Sequence, residues 1–122
     1  MVKNRRISPF EAICYLASDS VTKLEKNWDS FKADPPNAPS IAKARKFLLG
    51  CGLQEVDRVS PTSVGGIAIT FRNKYREVFI EFYNNEKVFA LFSEDDSEQM
   101  DVKEVTDNGK LIVQIKEYLG LS

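Results

Sequence analysis

The amino-acid sequence predicts an α+β fold, in which N-terminal helices pack on an antiparallel β-meander of about four strands and a C-terminal helix follows. Three observations predict it. Apolar residues recur at helical spacing between residues 10 and 31, alternation of period two begins after residue 56, and helical spacing returns after residue 107. The chain has 122 residues, a common length for one domain. We therefore expect a single domain over residues 1–122.

The first helix has a clear start signal at Ser8. Ser8 can accept a hydrogen bond from a free backbone N–H, Pro9 suits the first helical position, and Glu11 can reach back to the cap. One apolar stripe then runs through positions 10, 14, 17, 21, 24, 28 and 31. The stripe predicts either one helix to about Trp28 or two helices broken near residues 18–20. The proline pair at 35–36 is predicted to end the helical part.

Two further helices are predicted by spacing and capping residues. The segment from Pro39 to Leu49 carries apolar and basic residues on opposite sides, and the glycines at 50 and 52 suit its C-terminal cap. Asp107 can cap a last helix that continues to about Leu119. The residues of this helix that we expect to be buried are Leu111, Ile112, Ile115, Tyr118 and Leu119.

The meander is predicted by alternation and by turn residues. Asn73-Lys74 and Asn84-Asn85 each suit a two-residue hairpin turn. With those turns, Ile69 lies opposite Val78, and Ile80 lies opposite Phe89. The predicted core face then comprises Ile67, Ile69, Val78, Ile80, Phe82, Phe89 and Leu91. Gly65-Gly66 predicts a bulge or sharp bend before the first long strand, and residues 102–106 predict a short fifth strand.

The second face of the meander is the main candidate for binding. It is predicted to carry Ala68, Thr70, Glu77, Phe79, Glu81, Tyr83, Val88, Ala90 and Phe92. This set is too apolar for a fully solvated surface and too charged for a second core. Either the C-terminal helix or a partner is therefore expected to cover it. We take Phe79, Tyr83 and Phe92 as candidate binding residues.

The composition argues against most enzyme classes. The chain contains no histidine, so no Ser-His-Asp triad, Cys-His pair or imidazole ligand is available. Neither a dinucleotide-binding glycine motif nor a phosphate-binding loop is present. Cys14 and Cys51 lack metal-ligand spacing, and both are expected to be buried as small hydrophobes. We predict a non-enzymatic protein with no cofactor and no metal, and a carboxylate-dependent enzyme remains an alternative.

Charge clusters suggest two kinds of partner. Residues 94–101 hold five carboxylates without the ligand pattern of a calcium loop. They predict a solvated loop or a docking surface for a basic partner, with Glu94, Asp95 and Asp96 as candidate binding residues. The basic residues of the N-terminal half could form one patch and bind nucleic acid through phosphates. They are Lys3, Arg5, Arg6, Lys43, Arg45 and Lys46. The net charge of −1 makes this nucleic-acid reading the runner-up.

The segment at residues 27–36 is the most distinctive in the chain. Trp28 and Asp29 are candidate binding residues within it, although a lone Trp beside Asn and Asp more often closes the junction of helix, loop and sheet. Residues 27–36, 42–48 and 61–71 together resemble a family of small bacterial proteins of unknown function. That family carries an N-W-D-G-Y-x-A-x-P-P-like segment, a helix, and a P-[ST]-x-x-G-G-[IV] strand that opens a meander. The resemblance spans roughly residues 20–92, departs at Ser30-Phe31 and Phe71, and implies a fold but no activity.

Together these features predict a protein-binding accessory or inhibitor-like protein. The expected partner is another protein or a second copy of the chain, with nucleic acid less favoured and no membrane involved. The apolar stretch near the N-terminus is broken by Pro9 and Glu11, and no apolar run reaches 18 residues. We therefore expect a cytoplasmic location.

Overall fold

A computed structural model describes residues 6–121 and confirms the predicted α+β fold. Its elements are α1 (Pro9–Leu16), α2 (Asp19–Thr22), α3 (Ala38–Gly50), β1 (Arg58–Thr62), β2 (Gly66–Asn73), β3 (Arg76–Tyr83), β4 (Val88–Glu94), β5 (Met100–Glu104) and α4 (Asn108–Leu119). The strands form one antiparallel sheet in the order β1-β2-β3-β4-β5. The sheet has five strands where about four were expected, and the short strand predicted at residues 102–106 lies at Met100–Glu104. β1 contains Pro61 and shows little alternation, both typical of an edge strand.

The start of α1 is as predicted, but its buried side is not. The Ser8 hydroxyl accepts from the Glu11 N–H at 3.1 Å, and the Glu11 carboxylate accepts from the Ser8 N–H at 3.4 Å. The second alternative is confirmed, because α1 and α2 are separate helices. The predicted stripe is wrong in this helix: Phe10 is 73% exposed and Cys14 is exposed. The neighbouring side, with Ala12 and Leu16, packs on the core instead.

The helical part ends at Thr22, well before the proline pair. The expected continuation to about Trp28 is therefore wrong. Side chains between residues 27 and 33 hydrogen-bond the local backbone and offer it an alternative to a helix. In this segment these hydrogen bonds, rather than the helical spacing of the apolar residues, determine the backbone conformation.

Three helices pack on one face of the sheet and form the core with it. Phe47 of α3 contacts two strands, with ring centroids 6.1 Å from Phe71 and 6.0 Å from Phe82. The buried cluster includes residues of α1, α3 and α4. Cys51 is buried in this cluster as expected, whereas the expectation was wrong for Cys14, which is exposed. The last helix is confirmed, since Asp107 caps α4 by accepting from the Lys110 N–H at 3.1 Å.

Both hairpin registers differ from the predicted ones, but only the second difference changes which face of the sheet the side chains occupy. In the first hairpin the loop is Lys74-Tyr75, so Ile69 lies opposite Ile80 rather than Val78. A shift by one residue on each strand moves the pairing but keeps every side chain on its predicted face.

The second hairpin has a three-residue loop instead of the predicted two-residue turn. The N–H of Tyr83 donates to the carbonyl of Lys87 at 2.9 Å, and Glu86 takes the left-handed conformation with φ 72°. Ile80 therefore lies opposite Ala90, not Phe89. One additional residue in the loop moves all of β4 to the opposite face. The observed core face carries Ile67, Ile69, Phe71, Val78, Ile80, Phe82, Val88, Ala90 and Phe92.

The Gly65-Gly66 bend is confirmed. The N–H of Gly65 donates to the Thr62 carbonyl at 3.3 Å and closes the β1–β2 turn. A Cβ atom on Gly66 would lie 2.2 Å from the carbonyl oxygen of Phe82. Only glycine therefore allows β2 to approach β3 at this point. Within residues 6–121, none of the helices has both the length and the apolar character needed to cross a membrane.

Candidate functional site

We use the term outer face for the side of the sheet opposite α1, α3 and α4. Its centre is a row of four directly opposed side chains, one from each of four strands: Thr70, Phe79, Leu91 and Val102. Phe79 and Leu91 are half-buried by their neighbours, and Val102 is 59% exposed. The row thus presents continuous apolar surface from the middle of the sheet to its β5 edge.

A second apolar group borders this row on the outer face. The rings of Tyr83 and Phe89 meet edge to face with centroids 5.8 Å apart. The Tyr83 hydroxyl donates to a carboxylate oxygen of Glu81 at 3.0 Å. Burial raises the pKa of the Tyr83 phenol, and the neighbouring Glu81 raises that pKa further. The outer face therefore combines aromatic surface with a carboxylate held in place.

The described helices leave the outer face uncovered. The buried core cluster and the half-buried side chains that pack on it include none of Phe79, Tyr83, Phe89 and Leu91. The alternative that the C-terminal helix covers this face is wrong, because Leu111, Ile115 and Leu119 of α4 belong to the core cluster. Ala68 and Thr70 are buried although they lie on the outer face.

The shift of β4 changes the membership of the candidate site. Phe92, predicted on the outer face, is 6% exposed on the core face, and its ring meets Tyr118 of α4 at 5.3 Å. Val88 moves to the core in the same way. Phe89 and Leu91 take their places and were missed by sequence reasoning. No signal in the sequence marks the third loop residue, Glu86, because Glu has no preference for the left-handed conformation that it adopts here.

Arginine side chains partly neutralise the acidic segment that begins at the last residue of β4. Glu94 accepts from the Arg76 guanidinium at 3.0 Å, and Asp95 pairs with Arg72. Asp96 is exposed and has a φ of 63° at the tip of the turn. These three predicted residues are therefore close together. The segment borders a groove of about 1010 Å³ between β5 and α4, and the aromatic residues of this groove are Phe92 and Tyr118.

Trp28 and Asp29 lie in a separate, densely hydrogen-bonded loop. One carboxylate oxygen of Asp29 accepts from the backbone N–H groups of Phe31 at 2.8 Å and Ala33 at 3.1 Å. The indole N–H of Trp28 donates to the Asp34 carbonyl at 3.0 Å. Both side chains thus hold the loop together, while Phe31, with 85% exposure, projects from it.

Two of the basic side chains of the N-terminal half are engaged with neighbouring acidic or carbonyl groups. Arg6 pairs with Glu55 at 3.0 Å and with Asp57 at 3.1 Å. Lys43 donates to the carbonyl of Glu86 at 2.7 Å. Lys3 and Arg5 lie outside the described residues. Arg45 and Lys46 of α3 are exposed, and nucleic-acid binding through them stays a prediction.

Asp57 is a half-buried carboxylate beside Arg6, and its surroundings shift its pKa. Burial raises that pKa, and the charge of Arg6 opposes the increase. Among residues 6–121, no three Cys, Asp or Glu side chains converge as metal ligands would. Comparison of the chain with protein-family models, with curated proteins and with solved structures found no significant match.

Proposed function

We propose that the chain is a non-enzymatic protein-binding module, an accessory or inhibitor-like protein that docks a partner on its outer face. The observation that carries the proposal is the uncovered row of Thr70, Phe79, Leu91 and Val102. An antiparallel sheet commonly exposes one face to water, but that face is then mostly polar. Here the centre of the face is apolar, which is typical of an interaction surface.

The charges around the row define the chemistry of the partner. Glu81 and Glu104 flank Phe89 on the outer face. The guanidinium of Arg72 on the same face is paired with Glu77 and Asp95. Acidic side chains thus border the apolar centre along β3 to β5, and the exposed Asp96 lies nearby at the turn after β4. At the far end of the row the exposed Arg58 of β1 lies opposite Thr70. The partner expected to fit is a protein with an apolar patch bordered by lysine or arginine side chains.

The energetic contribution of this surface comes from its aromatic and aliphatic side chains. Phe79, Phe89 and Leu91 are already half-buried in the sheet. Little side-chain entropy remains to be lost when a partner covers them, so most of the gain from burying them is retained. Central, well-packed aromatic residues of this kind commonly dominate binding energy.

A comparison of two matched variants tests the proposal. Leu91→Lys places a charge in the centre of the outer face, whereas Val113→Lys places the same charge on exposed α4, away from that face. Thermal unfolding is measured first, and Leu91→Thr replaces Leu91→Lys if the lysine destabilises the fold. Each immobilised protein is used to capture partners from cells that express the chain, with quantitative mass spectrometry as the readout.

The expected result is a protein that both wild type and Val113→Lys capture and that Leu91→Lys loses. In a purified pair, Leu91→Lys should then weaken the Kd by about tenfold or more, as expected for a charge in the centre of an interface. The proposal is overturned if every protein that wild type captures is retained by the Leu91 variant.

A further inference from the structure

The β5 strand presents an open edge of the sheet. It is last in the strand order, and all five of its residues are exposed. The opposite edge is less open: β1 contains Pro61, which lacks an N–H, and next to it Val56 pairs with Ile7. An open edge offers backbone groups that can pair with another strand.

The hydrogen-bond pattern shows which backbone groups of β5 point outward. The Val105 N–H donates to the Val88 carbonyl at 2.8 Å. Bonded and non-bonded positions alternate in an antiparallel pair. Asp101 and Lys103 therefore direct their backbone groups toward β4. Met100, Val102 and Glu104 direct theirs toward the free edge.

The charges of β5 are complementary to those of a second β5 strand that runs in the opposite direction. The strand reads Met-Asp-Val-Lys-Glu, with Val102 in the centre and opposite charges on either side. When two copies pair antiparallel about Val102, Asp101 of each lies opposite Lys103 of the other. These two residues occupy non-hydrogen-bonded positions along the new edge, where opposed side chains come closest.

We propose that the chain forms a two-fold symmetric dimer in which the β5 strands of two copies pair antiparallel about Val102. Val102 exchanges both backbone bonds with Val102 of the second copy, and Met100 does so with Glu104. All three residues have the outward-pointing groups that this register needs. Asp101 and Lys103 already pair within one strand at 3.5 Å, and in the dimer each also meets the opposite charge of the second copy. The second copy is therefore the partner that fits by charge complementarity.

Other registers fit less well. Pairing about Glu104 places two carboxylates opposite each other, which is destabilising. Pairing about Met100 leaves Lys103 opposite Ser97, beyond the end of the strand. The Val102 register also joins the apolar rows of both outer faces, because Val102 ends the row in each copy. The dimer does not depend on the proposed partner binding, since it uses the edge of the sheet rather than its outer face.

Charge exchange tests the dimer directly. Lys103→Asp and Asp101→Lys each place like charges opposite one another at both pairs, so each should weaken self-association by about tenfold or more. An equimolar mixture of the two restores opposite charges at both pairs and should give a heterodimer. The double variant restores them in the same way and should form a homodimer. Sedimentation equilibrium gives the association constants, and native mass spectrometry identifies the heterodimer.

A backbone variant and a charge control complete the experiment. Val102→Pro removes the central outward N–H but no bond to β4, so it should abolish the dimer while the fold is kept. Lys110→Asp reverses an exposed charge on α4 and should leave association unchanged. The proposal is refuted if wild type remains monomeric up to about 1 mM, the weak limit for so small an interface. It is also refuted if mixing the two charge variants fails to restore the dimer. Loss of association in Lys110→Asp would place the interface elsewhere.

Discussion

Asn84 connects the β3–β4 hairpin to the start of α3, and its replacement should destabilise the whole fold. Its side-chain oxygen accepts from the Asn37 N–H at 2.8 Å, and its amide donates to the Pro35 carbonyl at 2.9 Å. The Asn37 amide donates in return to the Asn84 carbonyl at 2.8 Å. Asn37 also caps α3 by accepting from the Ser40 N–H.

Asn84→Ala removes two hydrogen bonds and leaves their partners at Asn37 and Pro35 without them in a half-buried place. At about 1 kcal/mol for each bond, with a further penalty for the unpaired groups, the free energy of unfolding should fall by about 2–3 kcal/mol. For a chain of this size the expected decrease in Tm is about 8–12 °C. Urea unfolding followed by circular dichroism measures the free energy, and calorimetry measures Tm.

Asn85→Ala is the matched control in the same hairpin. Asn85 is exposed, and its side chain makes one local bond, from the Lys87 N–H at 3.0 Å. Its loss should cost at most about 1 kcal/mol. Asn84→Asp should cost at least as much as the alanine change, because an oxygen then faces the Pro35 carbonyl. Equal losses for Asn84→Ala and Asn85→Ala would show that the bonds of Asn84 to residues 35 and 37 do not stabilise the fold.

Three further changes have expected outcomes. Gly66→Ala should lower the free energy of unfolding by about 3 kcal/mol or more, because the new Cβ would lie 2.2 Å from the Phe82 carbonyl oxygen. The same change at Gly50 meets nothing within 4 Å and should stabilise α3 by up to about 1 kcal/mol. Chemical unfolding of the two variants measures both effects. Residue 86 has a φ of 72°, which glycine adopts more readily than alanine. Glu86→Gly should therefore be about 1 kcal/mol more stable than Glu86→Ala in urea unfolding. Equal stability of the two variants would contradict the assigned turn. Burial raises the folded pKa of Asp57 above 3.8, so the folded state holds this proton more tightly than the unfolded state does. The stability of wild type relative to Asp57→Asn should therefore fall as pH rises from 3.8 through the raised folded pKa, and a difference that is flat in pH would contradict the assigned burial.

Much of the fold was predictable because helix caps and tight bends depend on atoms within a few residues of each other. The capping box at Ser8, the cap of α4 at Asp107 and the bend at Gly65-Gly66 are all present. Each depends on hydrogen bonds or steric limits within a few residues, so the sequence alone specifies them. The alternation within β2 and β3 also placed their side chains on the correct faces.

The candidate site was less predictable because it depends on one loop. Asn84 and Asn85 suggested a two-residue turn, but the left-handed residue is Glu86. Asn84 is used instead for hydrogen bonds to residues 35 and 37, which are distant in sequence. No local pattern reveals that use. As a result Phe92 was exchanged for Leu91 on the outer face.

Local patterns in the sequence specified the succession of N-terminal helices, meander and last helix, the caps at Ser8 and Asp107, and an apolar second face. Only the tertiary structure decided which residues of β4 form that face, that no described helix covers it, and that β5 is an open edge. The physical reason is the range of the interactions. Caps and alternation depend on neighbours along the chain, whereas strand register and the packing of α1 and α4 depend on contacts between distant segments.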